Sequence, residues 1–453
     1  MRKANDPADE LLTFIGRCTS PFHVVTEIAA RLRRAGFQEL RREESWEKKL
    51  ACGGRYFVDV YGSSLIAFSV GALPGALRMA AAHTDFPCFR VKPLAAMAQD
   101  GYGSLNVEPY GGLIFRTWLD RPLGLAGKVV LRGASPFIIV QNGSSFRSIY
   151  INIKKDLLMI PSVAIHMDRE VNEAGALNAQ KDMLPLAALL DGAEGKEMRE
   201  TKEEEVRHTE EEPGFFLTWL AKACGAETQD VLSYELGAYP VEKGCALGFS
   251  GEFVSAPRLD NLTSVLACLK GLETARASDG VRLAAFFDNE EVGSRTKQGA
   301  GSAVLGDVLR RIYQDLSGES DAVCRALADG FLLSVDVAHA VHPSHAAKSD
   351  PVVRPALAAG VVLKQAASQS YAGDAEASAI VRALAEEHEI PWQRFVNRAD
   401  SRGGSTLGAI ASSFVPVRTM DIGAPILAMH SARETMGAAD QESLERLLKA
   451  FLA

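Results

Sequence analysis

Two kinds of hydrophobic spacing along the chain predict its helices and strands. Residues 11–36 carry apolar side chains at helical spacing, with Thr19 and Ser20 as candidate caps for a second helix. Between residues 55 and 91 the pattern changes to short β-rich runs punctuated by glycine and proline, namely YFVDVYG, SLIAFSVG and LRMAAAHTD. Residues 101–140 are again strand-like and rich in turns, with LIFRTWLD and GKVVLRG as examples.

From about Val241 onward, predicted strands alternate with predicted helices. The apolar runs VRLAAFFDNEE and FLLSVDVAHA predict strands, and residues 262–276, 303–316 and 376–387 have helical spacing. Alternation of this kind predicts an α/β domain with a largely parallel central sheet. Ligand sites in such domains gather at the carboxyl ends of the strands, so the residues that follow each strand are the candidates for function.

Length and composition indicate a globular protein with more than one domain. A chain of 453 residues is too long to fold around one ordinary hydrophobic core, so two or three domains are predicted. Hydrophobic residues make up 47% and charged residues 23%, a balance that excludes disorder of the whole chain. The net charge of -8 argues against nucleic acid or an anionic membrane surface as the main partner.

Neither targeting nor disulfide signals are expected from the sequence. The N-terminus MRKANDPADELL carries charges and a proline too early for a signal peptide, and Pro74 and Arg78 interrupt the most apolar stretch, 64–82. The seven cysteines form no Cys-x-x-Cys pair, which argues against a disulfide framework or a zinc ribbon. These features predict a cytoplasmic protein, with the acidic segment 194–212 as a solvated loop or exposed helix.

Histidines and acidic residues follow five apolar segments of the chain. The five clusters are His83-Thr84-Asp85, Arg258-Leu259-Asp260-Asn261, Asp288-Asn289-Glu290-Glu291, Asp336 and His430. Singly, each is more often a cap, a turn residue or part of a solvated face. Together, two histidines and three carboxylates suit a borderline metal such as Zn²⁺, and a carboxylate shared by two ions completes two sites with five side chains. A neighbouring glutamate without a metal could act as the general base.

Several motifs, in order, resemble the M18 metallopeptidases, the aspartyl aminopeptidase family. The motifs are HTD, RLDN, DNEEVGS, SVDVAHAVHP and MHSARE, and the stretches VEPYGGLIFRTWLDRPLGLAGKV, IPSVAIHMDREVN and NRADSRGGSTLG extend the likeness over nearly the whole chain. The resemblance implies an aminopeptidase that hydrolyses the N-terminal residue from peptides. It also implies a phosphorylase/hydrolase-like α/β zinc-peptidase domain (1–92 and 237–453), interrupted by an inserted β-rich dimerisation domain (93–236).

The same resemblance implies a set of metal ligands. One zinc is expected to bind His83, Asp260 and Asp336, and the other is expected to bind Asp260, Glu291 and His430. Asp260 would then bridge the two ions. Carboxylate-rich sites can also accept Mn²⁺ or Co²⁺ as substitutes.

Further residues take catalytic and substrate roles by the resemblance. Glu290 is the expected general base, and Asp85 is the carboxylate expected to support His83. His166 is expected to reach the active site of a neighbouring subunit and to hold the substrate or stabilise the oxyanion. Because the family forms tetrahedral dodecamers, a homo-oligomer built from dimers is expected.

Lys364 and Tyr371 match family positions at the pocket for the first substrate side chain, where a buried ammonium favours an acidic residue. The chain departs from the family nearby, with Gln-Ser-Tyr at 369–371 in place of Gln-Arg-Tyr and Arg-Gly at 402–403 in place of Pro-Cys. The sequence therefore leaves the preferred N-terminal residue open. Two alternative functions also stay open, a related two-metal carboxypeptidase or deacylase and a non-catalytic assembly protein of the same fold.

Overall fold

The computed structural model describes residues 6–133, 146–173, 175–190, 214–276, 279–401 and 403–453. Within the chain, one compact unit contains Met1–Phe86 and Lys243–Ala453, and a second unit contains Pro87–Glu242. The predicted insertion, 93–236, lies inside the second unit. The predicted solvated segment 194–212 lies outside the described residues.

The described residues form twenty strands and nine α-helices. The strands are β1 (Gln38–Glu39), β2 (Arg55–Val60), β3 (Ser64–Val70), β4 (Ala72–His83), β5 (Cys88–Gln99), β6 (Tyr102–Tyr110), β7 (Leu123–Arg132), β8 (Phe146–Leu158), β9 (Leu186–Leu189), β10 (Val231–Pro240), β11 (Cys245–Leu247), β12 (Phe253–Ala256), β13 (Asp279–Phe287), β14 (Phe331–Val335), β15 (Ala338–His339), β16 (Val361–Gln365), β17 (Trp392–Val396), β18 (Arg418–Gly423), β19 (Pro425–Leu427) and β20 (Glu434–Gly437). The helices are α1 (Pro7–Arg17), α2 (Pro21–Arg34), α3 (Phe215–Cys224), α4 (Leu259–Thr274), α5 (Val304–Ser317), α6 (Ala322–Ala328), α7 (Ala375–Glu387), α8 (Leu407–Phe414) and α9 (Ala438–Leu452). Short 3₁₀ turns lie at Phe115–Trp118, Thr228–Asp230, Glu290–Val292 and Ala346–Lys348.

The first unit is built on a nine-stranded sheet whose strand order is β1-β2-β3-β13-β4-β14-β18-β16-β17. Among the described strands, five of its eight pairings are parallel. In the middle of the sheet, β13, β4 and β14 run parallel to one another, so their carboxyl ends meet at one edge. This edge is where an α/β sheet places a ligand site.

A second, five-stranded sheet in the same unit has the order β11-β12-β20-β19-β15. Its strand β12 leads directly into α4, whose side chains are buried almost all around. Helices that are apolar on every face are interior helices, because no face is left for water. The core around α4 includes Leu262, Leu266 and Leu269, all fully buried.

The second unit contains a six-stranded sheet with the order β8-β7-β10-β5-β6-β9. All of its described pairings are antiparallel. Phe89 and Trp118 pack edge to face in its core, with ring centroids 5.3 Å apart. None of the described helices in either unit combines the length and apolar character that a membrane crossing requires.

The structure confirms the predicted helices of the second half of the chain as α4, α5 and α7, with small shifts at their ends. The strand-like interpretation of LIFRTWLD was wrong, because Phe115–Trp118 forms a 3₁₀ turn. Gly111, at φ +75°, follows the end of β6, and the turn brings Trp118 into the core. At the start of α2, Ser20 is the N-cap, but its hydroxyl bonds His23 Nδ1 rather than a backbone amide.

Candidate metal centre

The five predicted metal ligands come from five separate chain segments of the first unit. His83 is the last residue of β4, Asp336 follows β14, and Glu291 lies in the 3₁₀ turn after β13. Asp260 lies in the first turn of α4 after β12, and His430 lies between β19 and β20. The edge of the large sheet therefore supplies three of these side chains, and the segments next to β12 and β20 supply the other two.

Asp260 is the common neighbour of the two histidines. Its Oδ1 lies 3.2 Å from His83 Nε2, and its Oδ2 lies 3.3 Å from His430 Nε2. His83 Nε2 also lies 3.6 Å from Asp336 Oδ1, and His430 Nε2 lies 3.3 Å from Glu291 Oε2. The two imidazoles thus face different oxygens of the Asp260 carboxylate. In addition, His83 faces Asp336, and His430 faces Glu291.

These separations fit side chains that surround a metal ion. Zinc–ligand bonds of about 2.0–2.1 Å in a tetrahedron place neighbouring ligand atoms about 3.3 Å apart. A direct hydrogen bond between an imidazolium and a carboxylate would be shorter, about 2.7–2.9 Å. Ligand atoms of His83, Asp260 and Glu291 all lie within 4.8 Å of one another.

Two buried carboxylate oxygens support the same conclusion. Asp260 Oδ1 and Glu291 Oε1 accept no hydrogen bond from any residue that the structure describes. A buried acceptor without a partner costs about 1–3 kcal/mol, and more for a charged group. Coordination of a cation by these oxygens removes that cost, so the donor set fits a metal such as zinc.

The electrostatics of the site are those of acidic groups crowded in a buried space. Burial raises the pKa of Glu290 to about 8, because attraction by His83 offsets only part of the burial effect. Burial, and then repulsion from Asp260, raises the pKa of Glu291 well above its ordinary range. Burial lowers the pKa of His430, but the close carboxylates of Asp260 and Glu291 outweigh burial and raise that pKa to about 10. A divalent cation would relieve the repulsion among these carboxylates.

Asp85 fixes the turn that carries the expected base. Its Oδ1 accepts a hydrogen bond from the backbone N–H of Glu290, and its Oδ2 accepts one from the N–H of Glu291, both at 3.1 Å. The same Oδ1 lies 3.4 Å from His83 Nδ1. His83 Nδ1 also lies 3.0 Å from the backbone oxygen of Asp85, and the Asp85 carboxylate holds the backbone of two other site residues.

Glu434, to which the sequence pattern gives no role, holds a second pair of site residues. Its Oε2 accepts a hydrogen bond from the backbone N–H of Asp260 at 3.0 Å, and its Oε1 accepts one from the N–H of His430 at 2.8 Å. The side chain is only 2% exposed. Its position inside the MHSARE motif was the one available signal.

Backbone conformations around the site are unusual for residues with side chains. Arg258, Asn289 and His430 all adopt left-handed conformations, at φ +62°, +64° and +66°. His430 is itself a predicted metal ligand. Arg258 and Asn289 lie one or two residues before a predicted site residue. Such conformations cost about 1–3 kcal/mol and cluster at functional sites, where surrounding contacts hold them in place.

Of the predicted substrate residues, Lys364 lies beside the predicted ligand Asp336, and Tyr371 lies next to Lys364. Lys364 Nζ lies 3.4 Å from Asp336 Oδ2, donates a hydrogen bond to Val337 O at 3.1 Å and sits 5.1 Å from the centre of the Tyr371 ring. Both side chains are buried. His166 lies in the second unit, in the turn at 165–167, and its side chain is exposed.

Comparison with known proteins agrees with this geometry. The family model described as "Aminopeptidase I zinc metalloprotease (M18)" matches residues 14–452. A Clostridium acetobutylicum protein named "Probable M18 family aminopeptidase 2" is 38% identical over 455 residues, which cover 100% of this chain and 99% of that protein. "Aspartyl aminopeptidase 4" of Saccharomyces cerevisiae is 38% identical over 473 residues, which cover 99% of this chain and 94% of the yeast protein.

Solved structures give the same result. A chain of the "Cryo-EM structure of the Ape4 and Nbr1 complex" is 32% identical, with a TM-score of 0.89 over 99% of this chain and 85% of that chain. The "Crystal structure of prApe1" is 26% identical, with a TM-score of 0.86 over 98% of this chain and 93% of that one. Because the family model and these relatives match nearly the whole chain, the chain belongs to the M18 family of zinc metallopeptidases and is an aminopeptidase.

Proposed function

We propose that this aminopeptidase holds two zinc ions per chain and that Asp260 would be a ligand shared by both. One ion would bind His83 and Asp336, and the other would bind Glu291 and His430. The observation that supports this proposal is the pair of separations at Asp260, whose two oxygens face two different imidazoles at 3.2 and 3.3 Å. Mn²⁺ and Co²⁺ are proposed substitutes, because most of the donors are carboxylate oxygens.

In this proposal the protein's own side chains orient the substrate and move the proton. Zinc at such a site supplies Lewis acidity, which polarises the scissile carbonyl and favours ionisation of the attacking water. Glu290 takes a proton from that water and delivers it to the leaving amine. Asp85 keeps the Glu290 backbone in place through the hydrogen bond at 3.1 Å. The surrounding carboxylates attract the free α-ammonium group of the peptide.

Zinc titration and a substrate panel test this function. Metal-free protein should bind two equivalents of zinc, and Asp260→Ala should lose both high-affinity sites because it removes the shared ligand. Peptides with a free amine should be cleaved, and their N-acetylated versions should not. Cleavage of the acetylated peptides alone would favour the deacylase alternative, and full zinc binding by Asp260→Ala would refute the proposed site.

We further propose that Lys364 and Tyr371 form part of the pocket for an acidic first residue. The buried Lys364 ammonium is the cation that supports this preference, although it also faces Asp336. A ratio of rates for two substrates separates the attraction of an acidic substrate side chain from a general effect through Asp336. Lys364→Met should lower kcat/KM for an N-terminal Asp substrate more than for the matching Ala substrate. An unchanged Asp-to-Ala ratio, whatever the loss of overall rate, would contradict the specificity role.

The second unit is proposed to join cytoplasmic subunits into dimers that assemble to a tetrahedral dodecamer, with His166 acting on a neighbour's substrate. The exposed apolar side chains of Val163, Ile165 and Met167 beside His166 support a contact surface there. Oligomers reassembled from a mixture of His166→Ala and Glu290→Gln subunits should regain activity that neither variant has alone. If the mixture stays inactive, His166 does not act across subunits.

A further inference from the structure

We propose that Glu434 is a positioning residue that holds Asp260 and His430 in the orientation that binds zinc. The inference rests on the proposed zinc site, in which Asp260 is the shared ligand. The hydrogen bond between Glu434 and the Asp260 N–H is not part of a local turn, because the two residues are 174 positions apart in the chain. One carboxylate therefore links two ligand-bearing segments that the sequence keeps separate.

The hydrogen bonds of Glu434 account for both of its oxygens. Oε2 accepts from the Asp260 N–H at 3.0 Å, and Oε1 accepts from the His430 N–H at 2.8 Å. With its side chain 2% exposed, water cannot readily replace either bond.

The strand that carries Glu434 makes this link rigid. Glu434 is the first residue of β20, and it pairs with Ala256, the last residue of β12, in the antiparallel ladder. The chain leaves β12 at Ala256 and reaches Asp260 at the start of α4. The backbone ladder thus fixes the base of Glu434, and its carboxylate then fixes the two segments that leave the sheet.

Glu434 repeats on one side of the site the arrangement that Asp85 makes on the other. Asp85 accepts from the backbone amides of Glu290 and Glu291, and Glu434 accepts from those of Asp260 and His430. Four site residues are therefore held by two buried carboxylates. Groups that orient metal ligands from behind usually change metal affinity about 10–100-fold when they are removed.

Only a glutamate satisfies both amides. A glutamine offers one acceptor oxygen, and its NH₂ group would face the second N–H donor. An aspartate keeps both oxygens but is one methylene shorter, so it cannot reach both amides from the same backbone position. Both substitutions should therefore loosen Asp260 or His430 without removing a ligand.

Asp440 provides a matched control for the loss of a buried carboxylate. It is fully buried and accepts hydrogen bonds from the backbone amides of Ala358 at 2.7 Å and Gly360 at 2.9 Å. None of these residues is a predicted metal ligand. Asp440→Asn thus removes the same kind of interaction from the same unit without touching the site.

The experiment titrates zinc into metal-free wild-type protein, Glu434→Gln, Asp440→Asn and Asp260→Ala, and records thermal unfolding of each metal-free protein. We expect Glu434→Gln to weaken zinc binding about 10–100-fold at the Asp260–Glu291–His430 site and to lower kcat more than it raises KM. Asp440→Asn should lower the unfolding temperature and leave zinc affinity unchanged. If Glu434→Gln does not fold, Glu434→Asp is titrated in its place, with the same expectation.

Two results would overturn the inference. One is zinc affinity in the Glu434 variant within about twofold of wild type, and the other is an equal loss of affinity in Asp440→Asn. Failure of the zinc site itself gives a different result, because Asp260→Ala would then keep its zinc. If Asp260→Ala loses zinc while Glu434→Gln binds zinc as wild type does, the proposed zinc site stands and only the positioning role of Glu434 is rejected.

Discussion

Replacement of Glu290 by glutamine should separate proton transfer from metal binding. Glutamine has nearly the same size, and the backbone N–H of residue 290 keeps its bond to Asp85 Oδ1, so the turn should keep its shape. What the substitution removes is the carboxylate proposed to accept and return the proton. General acid–base catalysis contributes about 10²–10⁴-fold, which corresponds to about 3–5 kcal/mol of activation free energy.

The same substitution, which should lower activity, should raise the stability of the metal-free protein. Burial raises the pKa of Glu290 from 4.5 to about 8 in the folded state, so ionisation of this group opposes folding. The penalty is absent below pH 4.5, grows between pH 4.5 and 8, and is complete above pH 8. Because glutamine cannot ionise, the stability advantage of the variant should grow with pH over that window.

Three measurements on Glu290→Gln and wild type test both effects. Steady-state kinetics should show kcat reduced by about 10²–10⁴-fold. Elemental analysis should find the same zinc content as in wild type, whereas the control variant Glu291→Gln should lose zinc. Thermal unfolding of chelator-treated protein should give a larger stability gain for Glu290→Gln near pH 8 than near pH 5.

Either of two results would refute the reasoning about Glu290. Turnover within about tenfold of wild type would show that another group moves the proton. A metal-free variant that is less stable than wild type near pH 8 would show that the Glu290 carboxylate stabilises the fold, contrary to its raised pKa.

The remaining predictions concern packing and metal removal. In Gly423→Ala the new Cβ would lie 1.6 Å from the backbone oxygen of Asp336, so zinc content should fall. Unchanged zinc content would contradict this prediction. The control is Gly16→Ala, which has nothing within 4 Å of the new Cβ and should be slightly stabilising. Leu266→Ala, at a fully buried position of α4, should cost about 2–5 kcal/mol in denaturant unfolding, and a loss below about 1 kcal/mol would show that the core repacks. Removal of zinc by a chelator should lower the unfolding temperature, and restored zinc should recover it; no shift would argue against zinc bound to the folded state.

Comparison of sequence and structure shows why some features were predictable. Helices α4, α5 and α7 follow from apolar spacing, because a helix that packs against a core must repeat its apolar residues every three or four positions. The 3₁₀ turn at Phe115–Trp118 did not follow from local pattern, because it depends on the pairing of Trp118 with Phe89 in the core. Short apolar runs do not distinguish a strand from a turn that buries a large ring.

The chemical groups of the site were also visible in the sequence. Histidine and carboxylate side chains are recognisable wherever they occur, and the rule that sites gather at strand ends selected the segments around His83, Glu291 and Asp336. The sequence alone therefore predicted the family and the aminopeptidase activity, which the family model and the relatives confirm, and it indicated which side chains could bind a metal. The separations of 3.2 and 3.3 Å at Asp260 could only be measured in three dimensions.

Only the tertiary structure decided how those groups are held. Glu434 and Asp85 act on backbone N–H groups, which every residue except proline carries, so no side-chain pattern reveals such a bond. Likewise, the approach of Lys364 to Asp336 depends on how β16 and β14 lie within one sheet. The sequence specified which residues could bind a metal, and the fold decided which backbone amides orient them, because hydrogen bonds depend on distances that chain order does not encode.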